Sequence, residues 1–154
     1  LTQATILFIL YSLLNGVTLS FTLLVYQEAS IAKAFFITAG TFGIMSLYGY
    51  TTKKDLSSIG KLLFFALIGL VIATIVNLFC KSSGFDLIIS YAAVIIFIGL
   101  TAWDSQKIKK ILIEESQYGV DEHSQKIALL GALELYLDFV NLFIYILRIL
   151  GSKK

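Results

Sequence analysis

IALLGALELYLDFVNLFIYIL, residues 127–147, is at once a membrane span and a carrier of charge. It matches the ~20 apolar residues that an α-helix needs to cross ~30 Å of hydrocarbon at 1.5 Å per residue. Yet it holds Glu134 and Asp138. Gly131, Glu134, Asp138, Asn141, Tyr145 and Arg148 follow at steps of 3, 4, 3, 4 and 3, which places them on one helical face. A charge at the bilayer centre costs from about 2.5 to more than 10 kcal/mol, so this stripe turns away from lipid, toward partner helices or a water-filled cavity. The segment is therefore expected to be the central helix of a bundle.

Four further runs, 4–26, 34–52, 62–80 and 87–103, carry no charge at all. The whole chain is 58% hydrophobic and 14% charged, against about 25% charged for a soluble domain, and its charges are clustered. That excludes a soluble globule. Backbone amides in lipid must pair within their own segment, so the runs read as helices. The expected fold is all-α: a polytopic membrane helix bundle, one domain over 1–154, with helices at about 4–26, 33–52, 61–80, 86–113 and 124–150. Short linkers after the first three make neighbours antiparallel. Proline is absent, so no helix break can come from it. The lone Cys80 allows no intrachain disulfide, and a net charge of +2 points to no nucleic-acid partner. The first run lacks a basic leading region and is too long for the apolar core of a secretory signal; it is expected to span. A start at Leu1 in place of Met is read as that of a fragment.

Lys and Arg counts set the orientation. With five crossings, Lys53, Lys54, Lys61, Lys107, Lys109, Lys110 and Lys126 share one side, and Lys33, Lys81, Arg148, Lys153 and Lys154 the other. The richer side, with the second-to-third and fourth-to-fifth connections, is expected in the cytoplasm. A fifth segment that dipped in and returned would strengthen this bias, but its length favours crossing.

In the fourth segment Ser90, Phe97, Thr101 and Asp104 share a face, and Asp104 is the first charge after a long apolar run. Asp138 lies about eleven residues into the fifth segment, roughly 16 Å deep at 1.5 Å per residue. Asp104 reaches that level only if its helix continues to about residue 113, as Ile108, Ile111 and Leu112 suggest, with Lys107, Lys109 and Lys110 snorkelling or lining a vestibule. Two carboxylates about 4 Å apart at an effective dielectric of ~20 repel by about 4 kcal/mol. The pair is expected to share one proton at low pH, holding the two helices together, and to push them apart when fully ionised unless a cation intervenes.

Smaller features have plainer readings. Gly16 with Ser20, and Gly69 with Ala73 and Asn77, are four-residue stripes for close helix packing. Trp103, Tyr26, Tyr48 and Tyr50 are expected as interfacial anchors, Glu114 and Glu115 as a solvated face, and His123 as a surface residue. No nucleophile elbow, phosphate loop, metal-ligand cluster or Ser/His/Asp arrangement is present, so no enzyme and no bound cofactor are expected.

The strings Ala102-Trp103-Asp104-Ser105-Gln106-Lys107-Ile108 and Leu133-Glu134-Leu135-Tyr136-Leu137-Asp138-Phe139-Val140-Asn141-Leu142-Phe143 resemble the paired aspartate motifs of the transmembrane Bax inhibitor motif family. Residues 36–52, with Phe42-Gly43 and Ser46-Leu47-Tyr48-Gly49-Tyr50-Thr51-Thr52, resemble its bacterial branch. The likeness covers nearly the whole chain. It implies a seven-helix fold whose last helix is surrounded by the rest, with the five segments here standing for the third to the seventh. It also implies a pH-dependent calcium leak in a bacterial inner membrane, with Asp104 and Asp138 as sensor and gate. The family's second helix brings an arginine to the aspartates, and none of these five segments supplies it.

The expected site is thus Asp104 and Asp138 as pH sensor, gate and weak calcium ligands, supported by Glu134, Asn141, Thr101, Tyr145 and Arg148. Calcium is expected as the permeant ion, and oxygen ligands suit it. The alternatives are a proton-coupled transporter using the same carboxylates as a relay, and a membrane interaction protein that transports nothing. An intramembrane aspartyl protease is set aside, since neither aspartate follows Gly-x-Gly and a Pro-Ala-Leu motif has no proline to form it.

Overall fold

The computed structural model describes residues 2–118 and 122–151 and contains five helices: α1 (Thr2–Val25), α2 (Glu28–Thr51), α3 (Ser57–Cys80), α4 (Ser83–Tyr118) and α5 (Glu122–Leu150). All five are long and apolar enough to cross a membrane. Their ends reach past the charge-free runs because charged side chains fit in terminal turns at the interface, as Glu28 does in α2 and Asp86 in α4. The expected readings of Glu114, Glu115, His123, Lys153 and Lys154 fall on side chains outside those described.

Local chemistry sets the ends. The Phe85 amide donates to Ser82 Oγ at 3.2 Å, capping the start of α4. At the end of α3, Lys81 takes a left-handed conformation (φ 51°), its amide donates to the Asn77 carbonyl, and the Ser82 amide donates to Asn77 Oδ1. Asn77 is thus a helix-ending residue. Thr18, Ser20, Thr38, Thr51, Thr74, Ser90 and Thr101 each donate their hydroxyl to the carbonyl four residues back, so none of these needs a partner from lipid.

α4 continues unbroken past Lys107, as the aspartate pairing requires, and α5 packs antiparallel along it. Gly131 early in α5 sits against Ile108 late in α4, and Arg148 near the end of α5 reaches Asp86 near the start of α4 at 3.8 Å. α5 is therefore one continuous rod, long enough to cross, with no dip and return. The centre is shared: α4 touches α2, α3 and α5, while α5 touches α4, α2 and, more lightly, α1. Within these five helices α4 is the most enclosed, so the expectation of a single central α5 becomes one of a central pair.

Ile89, Ala93, Ile96, Phe97 and Leu100 of α4 meet Leu142, Phe143, Ile146 and Leu147 of α5 in the core, with Ala34 of α2 and Leu70 of α3. The outer faces are apolar too: Phe36, Phe79, Leu14 and Phe21 lie exposed, as lipid-facing side chains do. Tight approaches occur where a side chain is missing. A Cβ on Gly49 would meet the Ala102 carbonyl of α4, and one on Gly60 would meet the Trp103 ring. The stripes at Gly16 and Gly69 have nothing within 4 Å of a Cβ, so the close contacts lie elsewhere than expected. Tyr26 is also no interfacial anchor: it is buried against Gly151 and the end of α5. Trp103 is half-buried over Gly60, whereas Tyr48 and Tyr50 remain exposed.

Candidate functional site

A cavity of about 560 Å³ opens between α3, α4 and α5. Phe64, Leu67 and Val71 of α3 make an apolar wall; α4 contributes Phe97, Trp103, Asp104 and Lys107, and α5 contributes Glu134, Asp138, Asn141 and Tyr145. Four of the six stripe residues of α5 thus line one space, as their spacing predicts.

The polar groups form rungs one turn apart, about 5.4 Å in an ideal helix. On the outermost rung Lys107 Nζ lies 2.7 Å from Glu134 Oε2 and 3.0 Å from Asp104 Oδ1, and 4.1 Å above the Trp103 ring. The next rung is Asp104 with Asp138, each 5% exposed and both on the lining of the cavity. Asp138 Oδ2 is buried with no hydrogen-bond donor among the described residues. Deeper still, Asn141 Nδ2 donates to the Leu137 carbonyl at 2.8 Å, and the Tyr145 ring stacks on Phe97 with centroids 6.2 Å apart. The ladder runs from a charged mouth to an aromatic floor.

Two expected supporting residues stand apart. Thr101 is fully buried and spends its hydroxyl on the Phe97 carbonyl at 2.7 Å, off the cavity wall. Arg148 ends beyond the floor, paired with Asp86 and 5.1 Å over the Tyr145 ring. Its long side chain follows the helix end outward, so it is not brought to the aspartates.

Lys107, expected to snorkel or to line a vestibule, lines the cavity and is paired there with Asp104 and Glu134. The signal was available: Lys107 follows Asp104 by three residues and so shares its face. Gln106 had no such signal. Buried on α4, it accepts the Leu56 amide at 2.9 Å through Oε1 and donates to the Lys54 carbonyl at 2.7 Å through Nε2, clasping the α2–α3 loop to the helix that carries the site. Its partners are about fifty residues away in sequence, beyond any local pattern.

Comparison with known proteins gives the family. The profile of the family described as "Inhibitor of apoptosis-promoting Bax1" matches residues 2–154. Inner membrane protein YbhL of Escherichia coli (strain K12) is 52% identical over 150 residues, covering 97% of this chain and 64% of the relative. Uncharacterized protein RP147 of Rickettsia prowazekii is 47% identical over 154 residues, 100% of this chain and 64% of the relative. A Borreliella burgdorferi protein is 48% identical over 151 residues, again with 64% of the relative covered. The chain spans just under two thirds of the length of these relatives. With five membrane-length helices and a profile match from the second residue to the last, this chain belongs to the Bax inhibitor-1 family of multi-pass membrane proteins.

Proposed function

We propose that the chain is part of a pH-sensitive calcium leak channel of the bacterial inner membrane, with Asp104 and Asp138 as its sensor and gate. One observation carries the reading: two buried carboxyls, one from α4 and one from α5, line the same cavity, and one Asp138 oxygen lacks a donor among the described residues. Two ionised carboxylates in contact repel by about 4 kcal/mol at 4 Å and an effective dielectric of ~20. A single shared proton removes that repulsion and supplies a hydrogen bond that clamps α4 to α5. When pH rises and the proton leaves, the helices separate around the cavity unless a cation takes its place. Flux then increases with pH. Oxygen atoms from Asp104, Asp138 and Glu134 suit calcium, in a number too small for tight retention, which favours passage over storage. The inner-membrane name of the Escherichia coli relative supports the location.

Calcium uptake into proteoliposomes, followed with a trapped indicator at mildly acidic and mildly alkaline pH, tests this. The wild-type protein is expected to leak faster at the alkaline value, and Asp138→Asn to leak equally at both. Proton movement coupled to a solute, with no calcium flux, would instead identify a proton-coupled transporter. No flux of either kind would leave a membrane interaction protein.

A further inference from the structure

The ammonium of Lys107 sits where a cation at this site would have to sit. It is 3.0 Å from Asp104 Oδ1 and 2.7 Å from Glu134 Oε2, on the cavity whose lining also includes Asp138, the Oδ2 of which is buried with no donor among the described residues. Two further features make this seat exchangeable. Lysine carries its charge as a compact point on a flexible four-carbon stem, so it can swing away without moving the helix. Its side chain is 34% exposed and that of Glu134 47%, so the outer rung is open, while Asp104 at 7% stays buried beneath. Among the described residues no three acidic, His or Cys side chains are grouped as a ready metal site, and it is the ammonium that lies between the oxygens.

We propose that Lys107 is a tethered rival of the cation: it occupies the oxygen seat between Asp104 and Glu134, and a divalent cation binds the Asp104, Glu134 and Asp138 oxygens by displacing it. The ammonium turns outward over the Trp103 face as the cation enters, keeping a cation–π contact in place of the ion pair. Lys107 thereby sets how strongly the site holds a divalent cation. The direction of flow rests on the channel reading; the competition for the oxygens does not.

Trp103 offers a readout independent of transport. It is the single tryptophan of the chain, and Lys107 Nζ lies 4.1 Å from its ring. Terbium(III), an oxygen-seeking mimic of calcium, luminesces when it binds close to an excited indole. Titrating the detergent-solubilised protein with terbium should give tighter Trp103-sensitised binding in Lys107→Gln than in wild type by on the order of tenfold, the equivalent of one charge-assisted hydrogen bond. Lys107→Arg, which keeps the charge, should bind no tighter than wild type. Adding Asp138→Asn to Lys107→Gln should reverse the gain. In proteoliposomes Lys107→Gln should change calcium flux in step with binding. If wild type leaks calcium while Lys107→Gln alters neither flux nor terbium affinity, the competition is overturned and the channel reading survives. If terbium binding tightens as stated but no variant leaks, the competition stands and the channel reading fails. If Lys107→Gln lowers both and Lys107→Arg restores them, the lysine only supports the fold and the proposal is wrong.

Discussion

Lys107 and Lys110 stand one turn apart on α4, and each pairs with an acid from outside its own turn, but the two pairs differ in kind. Lys107 reaches Glu134 at 2.7 Å and Asp104 at 3.0 Å on the wall of a cavity. Lys110 reaches Asp55 of the α2–α3 loop at 3.7 Å, with both side chains more than half exposed. In water the second attraction is worth under about 1 kcal/mol. Near the buried aspartates the same chemistry acts in a lower dielectric, where each missing partner leaves a charge without compensation. Position one turn deeper along a helix therefore separates a site from a surface ion pair.

The sharpest way to break this contrast is to neutralise one acid from each pair. Asp104→Asn removes the carboxylate that meets both Asp138 and Lys107, and with it a Coulomb term of about 4 kcal/mol. The ratio of calcium flux at alkaline to acidic pH should fall to near unity. Asp55→Asn should leave that ratio as in wild type. Equal effects of the two substitutions, measured in the same proteoliposome assay, would show that depth does not matter here.

A smaller effect concerns what holds the loop beside Lys110. Gln106 Oε1 takes the Leu56 amide at 2.9 Å in a buried setting, and its Nε2 reaches the Lys54 carbonyl at 2.7 Å in a partly buried one, whereas the lysine pair is exposed. Gln106→Ala should lower unfolding stability in detergent by about 2 kcal/mol, from two hydrogen bonds at roughly 1 kcal/mol each. It should also speed proteolysis between residues 52 and 56. Lys110→Ala should change stability by less than about 1 kcal/mol. The reverse order would assign the loop to the exposed ion pair.

The same contrast explains what could be read in advance. Four spans follow from charge-free length and the fifth from apolar length despite its two acids, because lipid leaves an apolar run of that length little choice but a helix. The meeting of Asp104 and Asp138 followed from depth arithmetic once α4 was taken past Lys107, since helical rise is fixed. Arg148 and Thr101 had the right faces but the wrong reach, and periodicity gives direction around a helix without saying where a side chain ends. Gly49 against Ala102, and Gln106 against the loop, depend on which helices touch, which no single segment records. The place of Lys107 on the cavity lining agrees with one of its two expected readings, and its pairing with Asp104 follows from their spacing of three residues.

The smallest expected effect lies wholly on the exposed side of the comparison and concerns the sign of a pH response. Asp55 lies outside the spans, and its carboxyl is held below its ordinary value of 3.8, first by the Ser57 hydroxyl and then by the Ser57 amide, which donate to Oδ1 at 2.7 and 3.0 Å; Lys110 adds less. A depressed value in the folded state means that the ionised form is the one stabilised. Its contribution is therefore present above the ordinary carboxylate value and is lost as pH falls through and below it. Acidification should loosen the start of α3, seen as a lower hydrogen-exchange protection factor at the Ser57 amide after correction for the intrinsic rate, with no such change between neutral and alkaline pH. Because Ser57 supplies the main cause, Ser57→Ala should move the Asp55 titration upward more than Lys110→Ala does, as followed by carboxyl NMR. A larger shift from Lys110→Ala would mean that the exposed ion pair, and not the hydrogen bonds of the helix start, sets the charge of this loop.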